Sequence, residues 1–213
     1  CADKIKNDLE AIDLLINNAG VVNTEYSETI DGIENTFAVN HLGYFLFTNL
    51  LLDLVKKESE SRIINVSSAA HHFVKGMQWD DINYKDDFKM GLKAYGQSKL
   101  GNILFTKQLA KKLQKDSVTV NAIHPGGVNT SLGNQNNSLL GRVLKIILKP
   151  FFRSPLKGAN TIIYLAEIDG LSITGAYWVD GRVAKTSHYS KNEAEAEKLW
   201  RLSEKLVNQE FDI

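Results

Sequence analysis

Arg62-Ile63-Ile64-Asn65-Val66-Ser67-Ser68 is a short β-branched run that stops on two serines. That is the profile of a buried strand whose last residues turn polar. Upstream, Asp13-Leu14-Leu15-Ile16-Asn17 has the same profile and closes on the turn Asn18-Ala19-Gly20; downstream, residues 118–124 are stopped by Pro125-Gly126-Gly127. Long amphipathic stretches separate these runs. Residues 31–57 place Ile33, Phe37, Leu42 and Phe45 at helical spacing, and residues 92–115 continue the pattern. Residues 69–90 read as polar and irregular. Residues 154–168 read as a helix and 176–179 as a fourth short strand. A closing helix over 193–208 sets Leu199, Leu202 and Leu206 on one side.

Strands alternating with helices predict an α/β fold, a doubly wound parallel sheet with helices on both faces. In such sheets ligands gather outside the carboxyl ends of the strands, where the three polar strand ends fall. The 213 residues suit one unit, and 25 basic against 25 acidic residues give zero formal charge. That balance supplies no bulk attraction for nucleic acid or an anionic membrane. A hydrophobic share of 43% with 23% charged residues excludes a disordered or fibrous chain. The single cysteine, Cys1, allows neither a disulfide framework nor a cysteine-based zinc site and fits a reducing intracellular compartment. The most apolar stretch, residues 44–55, is interrupted by Thr48, Asn49 and Asp53, and is shorter than the roughly 18 to 20 apolar residues of a membrane span. The chain does not open on a signal-peptide pattern.

Tyr95-Gly96-Gln97-Ser98-Lys99 sets a tyrosine and a lysine one helical turn apart on one face. A tyrosine with a pKa of about 10 exchanges protons poorly at neutral pH. A neighbouring ammonium favours the phenolate, which makes Tyr95 a general acid/base candidate. By itself the pair decides nothing: seven tyrosines among 25 lysines and arginines yield about one such pair by chance. Its context is more telling. Ser68 ends a strand 27 residues earlier, Asn18-Ala19-Gly20 ends the preceding strand, Asn40 interrupts a helical stretch in Val39-Asn40-His41, and Pro125-Gly126-Gly127-Val128-Asn129-Thr130 follows the next strand.

In this order, over residues 14–206, these features resemble the short-chain dehydrogenase/reductase family. The resemblance implies a Rossmann-like sheet and a nicotinamide cofactor. It implies Tyr95 as the proton donor and acceptor, with Lys99 lowering its pKa and holding the nicotinamide ribose. Ser68, the second serine of its pair, would bond the substrate oxygen, and Asn40 would anchor a water of the proton relay. Asn18, Ala19 and Gly20 would border the adenine ribose side. Pro125, Gly126, Val128 and Thr130 would contact the nicotinamide end. Family members often assemble through the helices around Tyr44 and Leu104, so a homo-oligomer is one expectation.

Within the family the chain is similar to the retinol dehydrogenase-like group, through Asn65-Val66-Ser67-Ser68-Ala69-Ala70-His71-His72, Ser98-Lys99-Leu100-Gly101-Asn102, His124-Pro125-Gly126 and Glu197-Lys198-Leu199-Trp200-Arg201-Leu202-Ser203. That group implies NADP(H), with NAD(H) as the other option, and a small apolar alcohol or carbonyl such as retinol or retinal. A general carbonyl or steroid reductase and a non-catalytic interaction subunit are the rival readings. No metal is needed: adjacent His71 and His72 point different ways and lack a third ligand at spacing, which suits a structural or substrate-loop role.

A substrate lid is expected over residues 131–157. Within it, residues 139–157 carry Arg142, Lys145, Lys149, Arg153 and Lys157 on one side and Leu140, Val143, Leu144, Ile147, Leu148, Phe151 and Phe152 on the other. The segment admits two readings, a lid helix with a solvated basic face or a peripheral contact with an organelle membrane. The glycine-rich turn that cradles a pyrophosphate does not occur ahead of Asp13. The resemblance therefore expects the first βαβαβ portion, on the order of 60 to 90 residues, upstream of a single partial domain over residues 1–213. The residue that selects NADP over NAD would lie there. It also leaves residues 13–17 as an exposed sheet edge.

Overall fold

The strands Ser61–Val66 and Val118–His124 are buried on both faces because helices cover both sides of the sheet. In the computed structural model, which describes residues 1–127 and 154–213, the chain forms α1 (Ala2–Asp8), β1 (Leu14–Asn17), α2 (Asn35–Val55), β2 (Ser61–Val66), α3 (Leu92–Lys112), β3 (Val118–His124), α4 (Pro155–Glu167), β4 (Tyr177–Val179), β5 (Arg182–Val183) and α5 (Glu193–Leu206). The sheet order is β1-β2-β3-β4-β5, parallel throughout except for the antiparallel β4–β5 pair. The expected parallel α/β architecture is therefore present. The expected lid, the basic segment 139–157 up to Arg153, and Val128 and Thr130 lie outside the described residues; Ser154 to Lys157 are exposed and open α4.

Side chains alternate between the faces. Leu15, Ile63, Val118 and Val120 pack with Phe45, Leu51 and Val55 of α2 and with Phe105 and Leu109 of α3. Ile64, Val66, Ile123 and Trp178 meet Leu165 and Ile162 of α4 on the other face. Each fully buried side chain of this size contributes roughly 1.5–3 kcal/mol. Arg62 fixes α4 at its far end, donating from Nη1 to the carbonyls of Leu165 at 2.8 Å and Ala166 at 2.9 Å, where the last turn leaves acceptors unpaired. β1 forms one edge of the described sheet, and Ile16 on it is 40% exposed.

The differences from the expected elements have local causes. The helix expected from residue 31 begins at Asn35, because the buried carboxylate of Glu34 caps it by accepting from the amides of Thr36 and Phe37. Ser67 and Ser68 leave the β2 ladder and begin a 3-10 turn over Ala69–Phe73. The sequence reading missed β5. Its cue is the two-residue Asp180-Gly181 link with φ of 51° and 70°, a dipeptide that favours tight hairpins.

α2 is long and apolar enough to cross a membrane, but 61% of that window is buried inside the fold, and it carries fully buried Asn40 and Thr48. It is a core helix in this structure. Tyr44 and Leu104, around which assembly was expected, are 3% and 1% exposed within the chain itself. α5 packs along α3 beside them. Its Trp200 packs against Phe45 at 4.9 Å and Phe105 at 5.9 Å between ring centroids, and Leu199 joins Leu104 and Leu100.

A buried polar ladder crosses the first two strands. Asn17 Nδ2 donates to Thr48 Oγ1 at 2.8 Å and to Asn65 Oδ1 at 2.7 Å, while Asn65 Nδ2 donates to Thr106 Oγ1 at 2.9 Å. Asn17 and Asn65 are register partners, so the ladder ties that register to α2 and α3. Replacing Asn65 with Val removes one buried partner each from Asn17 and Thr106, which keep Thr48 Oγ1 and the Asn102 carbonyl respectively. Asn65→Val should lower unfolding free energy by about 2–4 kcal/mol, read by urea denaturation; a loss under half a kcal/mol would contradict the ladder.

His41 joins α2 to α5. It is fully buried and its Nε2 lies 2.9 Å from Ser203 Oγ. Burial holds its pKa down at about 3, with Asn102 opposing that weakly. The folded ring stays neutral while an unfolded one takes a proton near pH 6.5. The unfolded chain therefore binds more protons, and stability falls as pH drops from about 6.5 towards 3. The His41 contribution alone should cost about 2 kcal/mol between pH 6.5 and pH 5. Urea melts across that range should show the decline, and His41→Gln should reduce it without removing it, because His71 is also held neutral there.

Candidate functional site

The carboxyl ends of β1, β2 and β3 meet α2 and α3 at one end of the sheet. Asn40 lies in a π-helical turn, Ala38–Leu42, inside α2; such turns interrupt regular helices most often at functional sites. Its amide is fully engaged. Oδ1 accepts from Val21 N at 2.8 Å, and Nδ2 donates to Val21 O at 2.9 Å and to Ser98 Oγ at 3.0 Å. Asn40 thus clamps the turn after β1 onto α3. Gly20 suits this clamp: a Cβ there would sit tightly, 3.1 Å from Asn40 Oδ1, and 3.6 Å from Lys99 Nζ.

The two serines divide their work. Ser67, 1% exposed, donates from Oγ to the Lys99 carbonyl at 2.7 Å. Ser68 is only partly buried, and its Oγ accepts from Ala70 N at 3.1 Å, which leaves its proton free to donate outward. The Tyr95 phenol lies beside it, close enough for the Ser68 hydroxyl to favour the phenolate. Lys99 is 3% exposed and donates from Nζ to Val66 O at 3.0 Å, with the rings of Tyr95 and Tyr44 each centred 5.7 Å away. The sequence reading missed Gly96, where a Cβ would come within 2.8 Å of Ala70 O. The cue was a glycine inside a helix, unfavourable unless another backbone must come close.

Of the residues singled out from sequence, Gly20, Asn40, Ser68, Tyr95 and Lys99 come together. Asn18 and Ala19 stay exposed at the end of β1. Pro125 and Gly126 follow β3 next to β2, whose exit is tied to it by Ser67 N donating to Ile123 O at 2.8 Å. His71 is buried while its neighbour His72 is exposed. No group of three or more His, Cys, Asp or Glu is placed to hold a metal among the described residues.

Burial pushes the Tyr95 phenol above its ordinary value, and the neighbouring Ser68 hydroxyl pulls it partly back. The Lys99 ammonium donates to the Val66 carbonyl.

Burial also brings Lys99 down to about 8. A lysine depressed on folding opposes the fold at neutral pH, and the penalty disappears only as pH rises from about 8 to about 10.5. Lys99→Met should therefore raise stability at pH 7 by about 3 kcal/mol and make it less pH-dependent between 8 and 10.5. Thermal melts across that range would refute the buried charge if the variant melted lower than the parent at pH 7.

A family model described as enoyl-(acyl carrier protein) reductase matches residues 1–181. Retinol dehydrogenase 14 of Mus musculus is 43% identical over 201 residues, which cover 92% of this chain and 59% of that protein. The chain thus spans about three fifths of the length of the curated relatives it matches. A solved structure of a protein from Mycobacterium Paratuberculosis aligns with all of this chain and 73% of its own, at 30% identity and a TM-score of 0.75. The RhlG/NADP active-site complex of Pseudomonas aeruginosa aligns with 83% of this chain and 67% of its own, at 26% identity and a TM-score of 0.61. With its strand order, its clamped asparagine and the serine–tyrosine–lysine cluster in one place, the chain belongs to the short-chain dehydrogenase/reductase family, in its retinol dehydrogenase-like group.

Proposed function

We propose that the protein is an NADP(H)-dependent oxidoreductase that interconverts an alcohol and an aldehyde or ketone on an apolar, retinoid-like substrate. The observation that carries this reading is the convergence of Ser68, Tyr95 and Lys99, two hydroxyls and a buried ammonium, at the open end of the sheet. The donor set suits the ribose half of a nicotinamide cofactor. The Lys99 ammonium has three N–H bonds, and Val66 O is its hydrogen-bond acceptor among the described residues. Gly20, with no side chain, leaves the ground beside it open. Lys99 and Tyr95 would hold the ribose hydroxyls, with Asn18, Ala19 and Gly20 on one side and Pro125, Gly126, Val128 and Thr130 on the other. When bound, that cofactor supplies or takes up the hydride.

The chain's own groups manage the proton. In the reductive direction Ser68 Oγ–H and Tyr95 O–H both donate to the substrate oxygen, and Tyr95 gives up its proton as charge develops there. Lys99, ionised at neutral pH with a pKa of about 8, offsets the phenolate left behind. Burial keeps Tyr95 protonated, which suits the acid role. Asn40 holds the turn and helix that frame the pair. Apolar Phe73, Met90 and Leu92 remain exposed in the segments that flank Ser68 and Tyr95, and with the names of the chain's relatives they support an apolar substrate.

A thermal melt with and without NADPH and NADH tests the reading first. A dinucleotide that binds the folded chain adds about 2.7 kcal/mol at a hundredfold excess over its dissociation constant, and the larger shift should come with NADPH. Tyr95→Phe should keep that shift while lowering turnover by about a hundredfold or more. Turnover should be highest on retinoids within a panel that also holds steroid and small aromatic carbonyls. No shift with either dinucleotide favours a non-catalytic role, and full activity of the phenylalanine variant removes Tyr95 as the acid.

A further inference from the structure

We propose that His71 is a positioning residue for Ser68, a neutral imidazole that latches the serine turn to the segment after β5; the proposal rests on the oxidoreductase reading above. The ring is fully buried and both nitrogens are taken by main chain, one partner close in sequence and the other 116 residues away. Nδ1 lies 2.7 Å from Ser68 O, and Nε2 lies 3.2 Å from Ser187 N. A carbonyl only accepts and an amide only donates, so Nδ1 carries the proton and Nε2 presents a lone pair. One tautomer satisfies both contacts. A second proton would set an N–H against the Ser187 amide, in line with the burial that holds the ring's pKa down at about 4.

The latch acts on the residue that bonds the substrate oxygen. The Ser68 carbonyl also accepts from His71 N at 3.2 Å, and its Oγ accepts from Ala70 N at 3.1 Å. His71 thus ties the turn to the main chain of Ser187, far beyond it. The neighbouring rings hold it from the sides, Tyr177 edge-on with centroids 5.2 Å apart and His72 at 4.0 Å. Ser187 opens the turn His188–Lys191 that leads into α5. The imidazole therefore couples the catalytic strand end to the C-terminal part of the chain.

A ring that only fills space and a ring that positions Ser68 respond differently to substitution. Leucine at this position fills the volume without either hydrogen bond. Asparagine offers an N–H near the position of Nδ1 and restores the bond to Ser68 O alone. His71→Leu should lower kcat by about a hundredfold, the scale of a slightly misplaced catalytic group. The KM for NADPH and the NADPH-induced rise in melting midpoint should stay unchanged. His71→Asn should recover most of that kcat. Unchanged kcat in His71→Leu, or a folded His71→Asn no better than His71→Leu, would overturn the proposal.

A second measurement needs no turnover. Long-range proton–nitrogen spectra of the wild-type chain should show His71 as the Nδ1–H tautomer, without titration from pH 8 to pH 5. An Nε2–H tautomer, or titration near pH 6.5, would sink the latch even in an active enzyme. Wild-type protein with no alcohol or carbonyl turnover would instead remove the functional reading and, with it, the role assigned to the latch.

Discussion

The carbonyl of Val66 accepts from the Lys99 ammonium and from the Asn102 amide, and the next residue, Ser67, donates back to the Lys99 carbonyl. This reciprocal lock between the end of β2 and the middle of α3 sets the rest of the site. If Lys99 moves, its buried ammonium gives up its bond to the Val66 carbonyl. Tyr95, one turn earlier on the same helix, is carried to a fixed place above the strand end. The lock also explains why Gly96 tolerates no side chain: once α3 is held this close, the turn after Ser68 lies against its backbone. Asn40 completes the arrangement from α2, joining Val21 and Ser98 so that the turn after β1 shares the same frame.

The same constraint sets the energetic balance of the molecule. A core built only for stability would not bury an ammonium with a carbonyl as its partner, because removal from water disfavours the charge. Here burial depresses Lys99 and raises Tyr95, both against the charged form. The apolar layers around Phe45, Leu109 and Ile63 on one face and Ile123 and Leu165 on the other supply the offset. Histidines in the interior follow one rule throughout. His41 and His71 are each neutral, with a ring nitrogen near a defined partner, and each joins elements far apart in sequence.

Much of this was legible in the chain of residues, and the particulars show why. The strands around Leu15, Ile63 and Val120 announce themselves because burial on both faces demands continuous apolar runs. The Tyr95–Lys99 pair is readable because helical spacing is local. The start of α2 was misplaced because capping by Glu34 depends on a side chain folding back on its own backbone, which hydrophobic periodicity does not report. The hairpin at Asp180-Gly181 was readable but short, and its two-residue strand gives no alternation to recognise. His71 shows the limit most plainly: next to an identical residue, it differs from His72 only in what the distant Ser187 offers it.

The sequence by itself determined the alternation of strands and helices, the sheet end at which polar residues collect, and the residue types able to move a proton there, since all of these follow from spacing along the chain. It took the folded chain to show that Ser67 spends its hydroxyl on the Lys99 carbonyl, that the Lys99 ammonium donates to the Val66 carbonyl, that Asn40 spends its amide on a clamp, and that α5 packs along α3. These depend on contacts between residues tens to more than a hundred positions apart, and on the removal of water from between them, which sets the protonation of Lys99, His41 and His71 and which no local pattern encodes.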